Sequence, residues 1–322
     1  MSGIVSISAA DVMRLVSWRA AVDAIRSALA LGLNPREQPA RTIVTTTAGQ
    51  LLLMPGEFDD MVGVKVLSVA PGNPAIGRER IQAVYTLMDA KTLTPVASID
   101  GSALTTLRTP ALSAVAVDIL AVPDARRLVV FGTGPQAEAH VHAIRSVRDI
   151  RQIGLVGRNP GRAADLAARL STTGVTVEVS DANAITQADV IATCTSARDP
   201  LFDGTRVPAH ATVVAVGSHE PEARELDEQL FASASVVLVE DVDTALREAG
   251  DVIQAINRGA IARERLTEVR QLVMTPGIRS GASGPVVFKS VGQGWQDLVI
   301  ARAAYQRWCA ENTPETAEGK DV

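Results

Sequence analysis

The chain has few aromatic residues, few cysteines and little net charge, and each shortage excludes a class of protein. Aromatic residues make up 3% of its 322 residues, which is too few for the stacking platforms that bind single-stranded nucleic acid. The formal net charge is −5, whereas nucleic-acid grooves are basic. The two cysteines and four histidines match no metal-binding spacing, so we expect neither a nucleic-acid partner nor a metal site.

Targeting signals are also missing. The N-terminus, Met1-Ser2-Gly3-Ile4, has no basic region followed by an apolar core, so we expect no secretory signal. We find no apolar run that approaches the length of a membrane span. These absences predict a cytoplasmic protein with no membrane partner. Cys194 follows an apolar run and is expected to be a packed thiol rather than a nucleophile.

The most informative segment is an apolar run that ends in two closely spaced glycines. It reads Leu128-Val129-Val130-Phe131-Gly132-Thr133-Gly134-Pro135-Gln136-Ala137. This order is typical of the strand, turn and helix that open a dinucleotide-binding unit. Gly132 would allow the tight turn, and Gly134 would let the backbone approach a pyrophosphate at the helix N-terminus. Pro135 suits the first helical position, and Ala137 fills the third small-residue position.

The segments after this motif alternate between apolar runs and helical patterns, as a doubly wound parallel sheet requires. The expected strands are Leu128–Phe131, 152–157, 190–194, 212–216, Val236–Val239 and 286–288. We therefore predict an α/β fold with a Rossmann-like domain that binds a nicotinamide dinucleotide.

The residues after the second strand of this unit bear on the choice of cofactor. An NAD site usually has an acidic residue there, which accepts hydrogen bonds from the ribose hydroxyls. This chain has Arg158, Asn159 and Arg162 instead, and a guanidinium can bind a 2′-phosphate through two parallel hydrogen bonds. We therefore favour NADP(H), with NAD(H) as the alternative if these arginines are merely solvated charges.

The N-terminal part has a different pattern. Ser8 and Asp11 predict a capped helix start, and a block of strands without intervening helices follows at about 42–47, 50–54, 62–67 and 84–88. Helices are then predicted from about Leu104 to Leu120 and from Trp295 onward. The pattern predicts an α+β domain at 1–120, to which a C-terminal helix at about 300–322 could return, and the dinucleotide-binding domain at 121–299.

Several segments in a fixed order carry a family resemblance. They are Met54-Pro55, Gly63-Val64-Lys65, Pro71-Gly72-Asn73-Pro74, the run from Asp100 to Thr109, the glycine loop, Ala215-Val216-Gly217-Ser218, Arg224-Glu225-Leu226-Asp227 and Lys289-Ser290-Val291-Gly292. Together they resemble the ornithine cyclodeaminase/mu-crystallin family. The resemblance implies a homodimer in which the domain at 1–120, completed by the C-terminal helix, binds the substrate and dimerises. The Rossmann domain lies between these two parts.

The same resemblance implies roles for three cationic residues. Arg41 and Lys65 fall where the family binds the substrate carboxylate, and Arg108 falls where it holds the cofactor and substrate region. A guanidinium can hold a carboxylate through two hydrogen bonds, and Lys65 could also donate a proton if its pKa is lowered. The alternatives are that the head of Lys65 reaches solvent at a sheet edge and that Arg41 and Arg108 are surface charges.

The cofactor site predicted from the glycine loop and the resemblance is larger. It comprises Arg108, Thr109, Gly132, Thr133, Gly134, Pro135, Gln136, Ala137, Arg158, Asn159, Arg162, Thr195, Val216, Gly217 and Gly292.

Two positions leave alternatives open. Cyclodeaminases carry an aspartate shortly after the Ala-Val-Gly strand end, and His219 occupies that position here, followed by Glu220. His219 could be a general acid near neutral pH or an ordinary loop residue. Asp297 lies in the segment that closes the family's site, but a charge at a helix N-terminus explains it equally well.

These features predict an NAD(P)H-dependent oxidoreductase that acts on small α-imino acids. The preferred reaction reduces a cyclic imine, Δ1-pyrroline-2-carboxylate or Δ1-piperideine-2-carboxylate, to proline or pipecolate. The proton would come from Lys65, His219 or water, in that order of preference. The alternatives are an ornithine or lysine cyclodeaminase that uses bound NAD, an enzyme like alanine dehydrogenase, and a non-catalytic NADPH-binding protein.

Overall fold

Two sheets organise the part of the chain that the computed structural model describes, residues 3–275, 277 and 283–312. The smaller sheet consists of β1 (Val5–Ile7), β2 (Thr42–Thr46), β3 (Gly49–Phe58), β4 (Met61–Val69), β5 (Ile81–Asp89) and β6 (Pro95–Asp100). The larger consists of β7 (Arg127–Phe131), β8 (Gln152–Val156), β9 (Thr176–Val179), β10 (Val190–Thr193), β11 (Thr212–Ala215), β12 (Val236–Val239), β13 (Leu266–Glu268) and β14 (Val286–Lys289).

Helices cover both sheets. They are α1 (Ala9–Leu15), α2 (Trp18–Ala30), α3 (Gly101–Leu120), α4 (Pro135–Arg145), α5 (Pro160–Leu170), α6 (Glu228–Ser233), α7 (Val242–Glu248), α8 (Gly250–Asn257), α9 (Val269–Met274) and α10 (Gly294–Asn312). Short 3₁₀ turns lie at Pro35–Glu37, Asn73–Ile76, Ala182–Gln187, Gly204–Arg206 and Arg263–Arg265.

In the described part of the chain, all neighbouring strands of the larger sheet run parallel. Its strand order is β13-β12-β14-β11-β10-β7-β8-β9, so the chain reverses direction across the sheet between β7 and β10. In doubly wound sheets, ligands bind beyond the carboxyl ends of the strands at such a reversal. The glycine loop follows β7, and this confirms the predicted doubly wound α/β fold.

The smaller sheet is an antiparallel meander from β2 to β6, with β1 added in parallel beside β6. Ser8 precedes α1, and its side chain and that of Asp11 form the reciprocal hydrogen bonds of a capping box. The predicted helix start is therefore confirmed.

Helix α3 joins the two halves of the molecule. It contacts α2 and α10 as well as α4 and β11, and its buried side chains belong to a core that extends into both sheets. By length and mean hydropathy, 1.3, it could cross a membrane, but 78% of that apolar window is buried inside the protein. The expectation that no apolar run approaches this length was therefore wrong, because a helix buried on most of its surface needs no polar face.

The sequence pattern located most, but not all, of the strands in the two sheets. All six strands expected in the larger sheet lie within one residue of their predicted bounds, but β9 and β13 were missed. In the smaller sheet β1 and β6 were missed. They have three and six residues, and such short segments carry little periodicity. The C-terminal helix begins at Gly294 and contacts β3, β4, α2 and α3, so the expected domain boundary at 299 falls inside it.

Candidate active site

The glycine loop after β7 adopts a backbone that requires glycine. Gly132 has φ +117°, and a Cβ atom there would lie 2.6 Å from the carbonyl oxygen of Cys194. Its amide donates to the carbonyl of Val156 at 2.9 Å. The loop is therefore wedged between the ends of β8 and β10, where a side chain would not fit.

The N-terminus of α4 is open to a ligand. Gly134 is the N-cap residue, so no side-chain hydrogen bond caps the helix, and a Cβ there would meet no atom within 4 Å. Gly134 and Pro135 are exposed, whereas Ala137 is fully buried. Helix N-termini attract anions, and the absence of a side chain at Gly134 leaves space there for the predicted pyrophosphate.

Helix α4 is tied to α3 by a buried histidine. His140 Nδ1 lies 2.7 Å from the carbonyl oxygen of Gln136, and its Nε2 lies 3.0 Å from Ser113 Oγ. A carbonyl only accepts, so Nδ1 carries the proton and the hydroxyl donates to Nε2. Gln136 also donates to the carbonyl of Thr105 at 3.2 Å. Burial lowers the pKa of His140 to about 4.

A buried carboxylate shapes the loops after β10 and β11. Glu225 accepts hydrogen bonds from Thr193 Oγ1 (3.0 Å), from the amide and hydroxyl of Thr195 (both 2.8 Å) and from the amide of Gly217 (2.7 Å). A Cβ on Gly217 would lie 2.0 Å from the carbonyl of Thr195. Thr195 and Gly217, with the neighbouring Val216, thus lie at the carboxyl edge of the sheet, where the cofactor is predicted to bind.

The residues after β8 include two exposed arginines. Arg158 and Arg162 are exposed, and within the described residues neither is recorded in an ion pair. Asn159 caps α5 by accepting from the amide of Arg162, so its side-chain oxygen is committed. A methyl of Thr133 lies 2.6 Å from the position of a Cβ on Gly157, which fixes the glycine loop against this turn.

The centre of the site is a fully buried lysine. Lys65, on β4, is 0% exposed, and so is the carboxylate that faces it, Asp297 on α10. The ammonium donates to both oxygens of Asp297 at 2.8 Å and to Thr105 Oγ1 at 2.9 Å. The alternative that Lys65 reaches solvent at a sheet edge is therefore wrong, because β4 is paired on both sides. Asp297 lies in the first turn of α10, but its main partner is this ammonium.

Arg108, on the buried face of α3, lies beside this pair. Its Nε is 3.6 Å from Asp297 Oδ1, and its Nη1 donates to Gln296 Oε1 at 2.7 Å. It is 7% exposed, so the surface-charge alternative is wrong, and the neighbouring Thr109 is buried too. Gly292 has φ +80°, and a Cβ there would lie 2.4 Å from Arg108 Nη1. Arg108 therefore occupies space that only glycine at 292 leaves open.

A second buried carboxylate, Glu240, holds the loop that approaches Arg108. It accepts hydrogen bonds from Ser290 Oγ and from the amides of Val291 and Gly292, at 2.8–3.2 Å. It is also hydrogen-bonded to Gln296. Because Gln296 accepts from Arg108, the carboxylate fixes both the loop and the amide that orients the guanidinium.

Arg41 lies at the same loop and is 11% exposed. Its Nη2 donates to the carbonyls of Val291 (3.0 Å) and Gly292 (2.8 Å) and lies 2.6 Å from Glu248 Oε2. The surface-charge alternative is wrong here as well. His219 is exposed at the surface. Its pKa is lowered, first because the surrounding protein partly removes solvent from the ring and next because of the charge of Arg41. His219 is therefore near enough to Arg41, the predicted carboxylate ligand, for the charge of Arg41 to lower its pKa.

Two further pKa shifts distinguish the site from its surroundings. Burial lowers the pKa of Lys65 to about 8, and Asp297 opposes this shift while Arg108 and Arg41 reinforce it. Burial and the nearby charge of Glu225 raise the pKa of Cys194 well above its usual value. The ammonium of Lys65 is thus a potential acid near neutral pH, whereas the thiol stays protonated, as expected of a packed cysteine.

Sequence reasoning did not assign the acidic residues and the hydroxyl that hold these groups. Glu225 lies in one of the family segments, and Glu240 directly follows an apolar strand. These features indicate where the two residues lie but not which groups they bind. Thr105 also lies in a family segment, the run from Asp100 to Thr109, but Glu248 gave no signal. Their partners Lys65 and Arg41 are remote in the sequence, and only the fold brings them together.

A separate surface cleft of about 720 Å³ lies at the opposite edge of the larger sheet, next to Arg127 at the start of β7 and Gln152 at the start of β8. Because ligands of doubly wound sheets bind at the carboxyl ends of the strands, this cleft is not the candidate active site.

Comparison with known proteins gives concordant matches. The Δ1-pyrroline-2-carboxylate reductase of Bacillus cereus is 34% identical over 276 residues, which covers 83% of this chain and 84% of that protein. The structure of Thermococcus litoralis Δ1-pyrroline-2-carboxylate reductase in complex with NADH and L-proline aligns with a TM-score of 0.88 at 27% identity, over 99% of this chain and 100% of that one. An archaeal alanine dehydrogenase dimer with bound NAD aligns with a TM-score of 0.88 at 25% identity, over 96% and 97%.

The family follows from a match over nearly the whole chain. Residues 5–312 match the sequence model of the ornithine cyclodeaminase/mu-crystallin family. The chain belongs to this family, and the resemblance stated from its motifs is confirmed.

Proposed function

We propose that the protein is an NAD(P)H-dependent reductase of cyclic α-imino acids. Its substrates would be Δ1-pyrroline-2-carboxylate or Δ1-piperideine-2-carboxylate, and its products proline or pipecolate. The observation that carries the proposal is the cluster of Arg41, Lys65 and Arg108 at the loop of Gly292. The relative from Bacillus cereus and the Thermococcus structure, both named for this activity, support it.

The described residues fit a nicotinamide dinucleotide. The N-terminus of α4 at Gly134 has open space and no side-chain cap, and Gly132, Thr195 and Gly217 line the reversal point of the sheet beside it. When bound there, the cofactor supplies a hydride. The protein's own contribution is to place the imine and to control charge and protons around it.

The three cations divide this work. Arg41 and Arg108 would bind the substrate carboxylate, since both guanidiniums are held in place by neighbouring carbonyl and amide groups. Lys65 would deliver the proton to the imine nitrogen, with His219 as the second candidate. A proton on the imine nitrogen would make the C=N carbon more electrophilic, and the bound carboxylate would hold that carbon in position for the hydride.

The proposal is tested by following NADPH or NADH oxidation with each cyclic imine. Rapid oxidation that gives proline or pipecolate supports it. Ammonia release from ornithine or lysine without net NADH change would instead indicate a cyclodeaminase. Reductive amination of pyruvate would indicate an alanine dehydrogenase, and cofactor binding without turnover a binding protein.

We propose further that NADPH is preferred over NADH. Arg158 and Arg162 are exposed at the end of β8 and no acidic side chain stands between them. Replacing Arg158 by Ala is expected to lower kcat/KM for NADPH at least tenfold, whereas kcat/KM for NADH should change little. The reason is that only NADPH carries the 2′-phosphate that the guanidinium would bind. Arg169→Ala is the control. Arg169 lies at the C-terminal end of α5, away from Arg162 in its first turn, and it pairs with Glu138. Equal losses for both cofactors would contradict the preference.

We also propose a homodimer in which the smaller sheet, with residues 1–120 and α10, supplies the interface, while residues from 121 to the start of α10 hold the cofactor. Strand β2 is exposed on all five of its residues, including Ile43 at 54% and Val44 at 44%. An exposed apolar edge strand favours association. Val44→Glu is expected to give a monomer in sedimentation, whereas Val179→Glu, at the far edge of the larger sheet, leaves the dimer intact.

A further inference from the structure

The hydrogen bonds of Lys65 leave none of its protons free. An ammonium has three N–H donors, and Lys65 Nζ has three acceptors within 2.9 Å, the two oxygens of Asp297 and Thr105 Oγ1. Thr105 Oγ1 in turn donates to the carbonyl of Gly101 at 2.9 Å, so its lone pair is directed at the lysine. This arrangement holds the ammonium in one position, and Lys65 can donate to a substrate atom only by exchanging one of these bonds, of which the one to Thr105 has the neutral acceptor.

The composition of the chain adds an independent observation. Only four of its 31 cationic side chains are lysines, namely Lys65, Lys91, Lys289 and Lys320. Most of the cationic side chains are arginines, which stay charged at any accessible pH. A lysine differs from arginine in that burial can bring its pKa into the range where it gives up a proton. A lysine at the centre of a site that otherwise contains arginines therefore points to proton transfer.

We propose that Asp297 and Thr105 are positioning residues that hold Lys65 as the proton donor to the imine nitrogen, while Arg41 and Arg108 bind the carboxylate. This rests on the proposed function. The proton moves from Nζ to nitrogen as the hydride reaches carbon, the C=N π bond becomes the new N–H bond, and Lys65 is left as a neutral amine that water reprotonates.

The charges around Lys65 give the sign of the pH dependence. Asp297 on α10 favours the ammonium, Arg108 on α3 and Arg41 disfavour it, and the neutral Tyr85 hydroxyl on β5 completes the surroundings. A proton donor works only while protonated, so kcat/KM should fall as the pH rises through the pKa of Lys65. Removing an acceptor from the ammonium should move this loss to lower pH.

Thr105 permits a matched comparison. Thr105 and Thr106 both donate to the carbonyl four residues earlier, at 2.9 and 3.0 Å, but only Thr105 accepts from Lys65. In Thr105→Val the alkaline limb of kcat/KM is expected to move down by about 0.5–1 pH unit. Asp297→Asn should move it further in the same direction. Thr105→Ser should restore the wild-type profile, and Thr106→Val should not change it.

The pKa itself can be read without substrate. With lysine labelled at ¹³Cε, the chain has only four signals, and Lys65→Met identifies the one in question. A Lys65 signal that titrates at lower pH in Thr105→Val and Asp297→Asn than in the wild type supports the positioning role. Unchanged titration, or an unchanged alkaline limb, overturns it. A wild-type enzyme that reduces no imine overturns the proposed function and the proton transfer with it, while the titration still decides the roles of Asp297 and Thr105.

Discussion

Replacing Glu225 by Gln should destabilise the protein far more than the loss of one surface charge would. The carboxylate is 0% exposed and accepts four hydrogen bonds, two of them from the backbone amides of Thr195 and Gly217. Each of its oxygens serves one of these amides. In glutamine one oxygen becomes an NH₂ group, so whichever way the side chain is turned, one buried amide faces a donor instead of an acceptor.

The magnitude follows from these contacts. An unsatisfied buried amide costs about 1–3 kcal/mol, and the remaining bonds weaken because they lose a charged acceptor. Relief from burying a charge offsets part of this, so we expect a net loss of about 2–4 kcal/mol in the free energy of unfolding. NADH affinity should fall as well, since these loops line the cofactor site.

Urea unfolding and NADH fluorescence titration of Glu225→Gln measure both effects. Glu222→Gln is the control, because Glu222 is exposed three residues away. A Glu225→Gln variant within about 0.5 kcal/mol of the wild type, with unchanged NADH affinity, would refute the role given to this carboxylate.

Three further predictions concern residues that the fold places under constraint. Gly132→Ala should raise the Kd for NADH at least tenfold, because its Cβ would lie 2.6 Å from the Cys194 carbonyl; unchanged binding by fluorescence would argue against the wedged loop. Gly292→Ala should raise KM for the imine while the Kd for NADH stays within a few-fold, since its Cβ displaces Arg108; steady-state kinetics and titration together decide this. The pKa of His140 falls from 6.5 to about 4 on folding, so its stabilising effect is complete above the unfolded pKa and is lost as the pH falls. The wild type should lose about 2–3 kcal/mol more than His140→Gln between pH 7 and pH 4, and parallel curves of unfolding free energy against pH would contradict this.

The parts of the site that the sequence predicted are those with local causes. The strand before Gly132 and the helix after Gly134 follow from apolar runs and special backbone positions within ten residues. The cations at 41, 65 and 108 were found through family motifs, which record position in the chain. The motifs did not say whether Lys65 is buried, because burial depends on β3, β5 and α10 closing over it.

The anionic partners of these cations could not be predicted for a physical reason. Lys65 and Asp297 are 232 residues apart, and Arg41 and Glu248 more than 200. Neither pair leaves a periodic pattern, since an ion pair requires only that two side chains meet in space. Glu225 and Glu240 likewise accept from loops of strands that are neighbours only in the sheet.

The sequence by itself therefore determined the doubly wound fold, the glycine loop with its open helix start, and the family with its cationic residues, because these depend on short-range backbone and side-chain preferences. Only the tertiary structure decided that α10 returns Asp297 to Lys65, that α3 buries Arg108 against Gly292, and that α7 brings Glu248 to Arg41. Those contacts set the charge and pKa of the site, since burial and electrostatic interaction depend on distance in space and not along the chain.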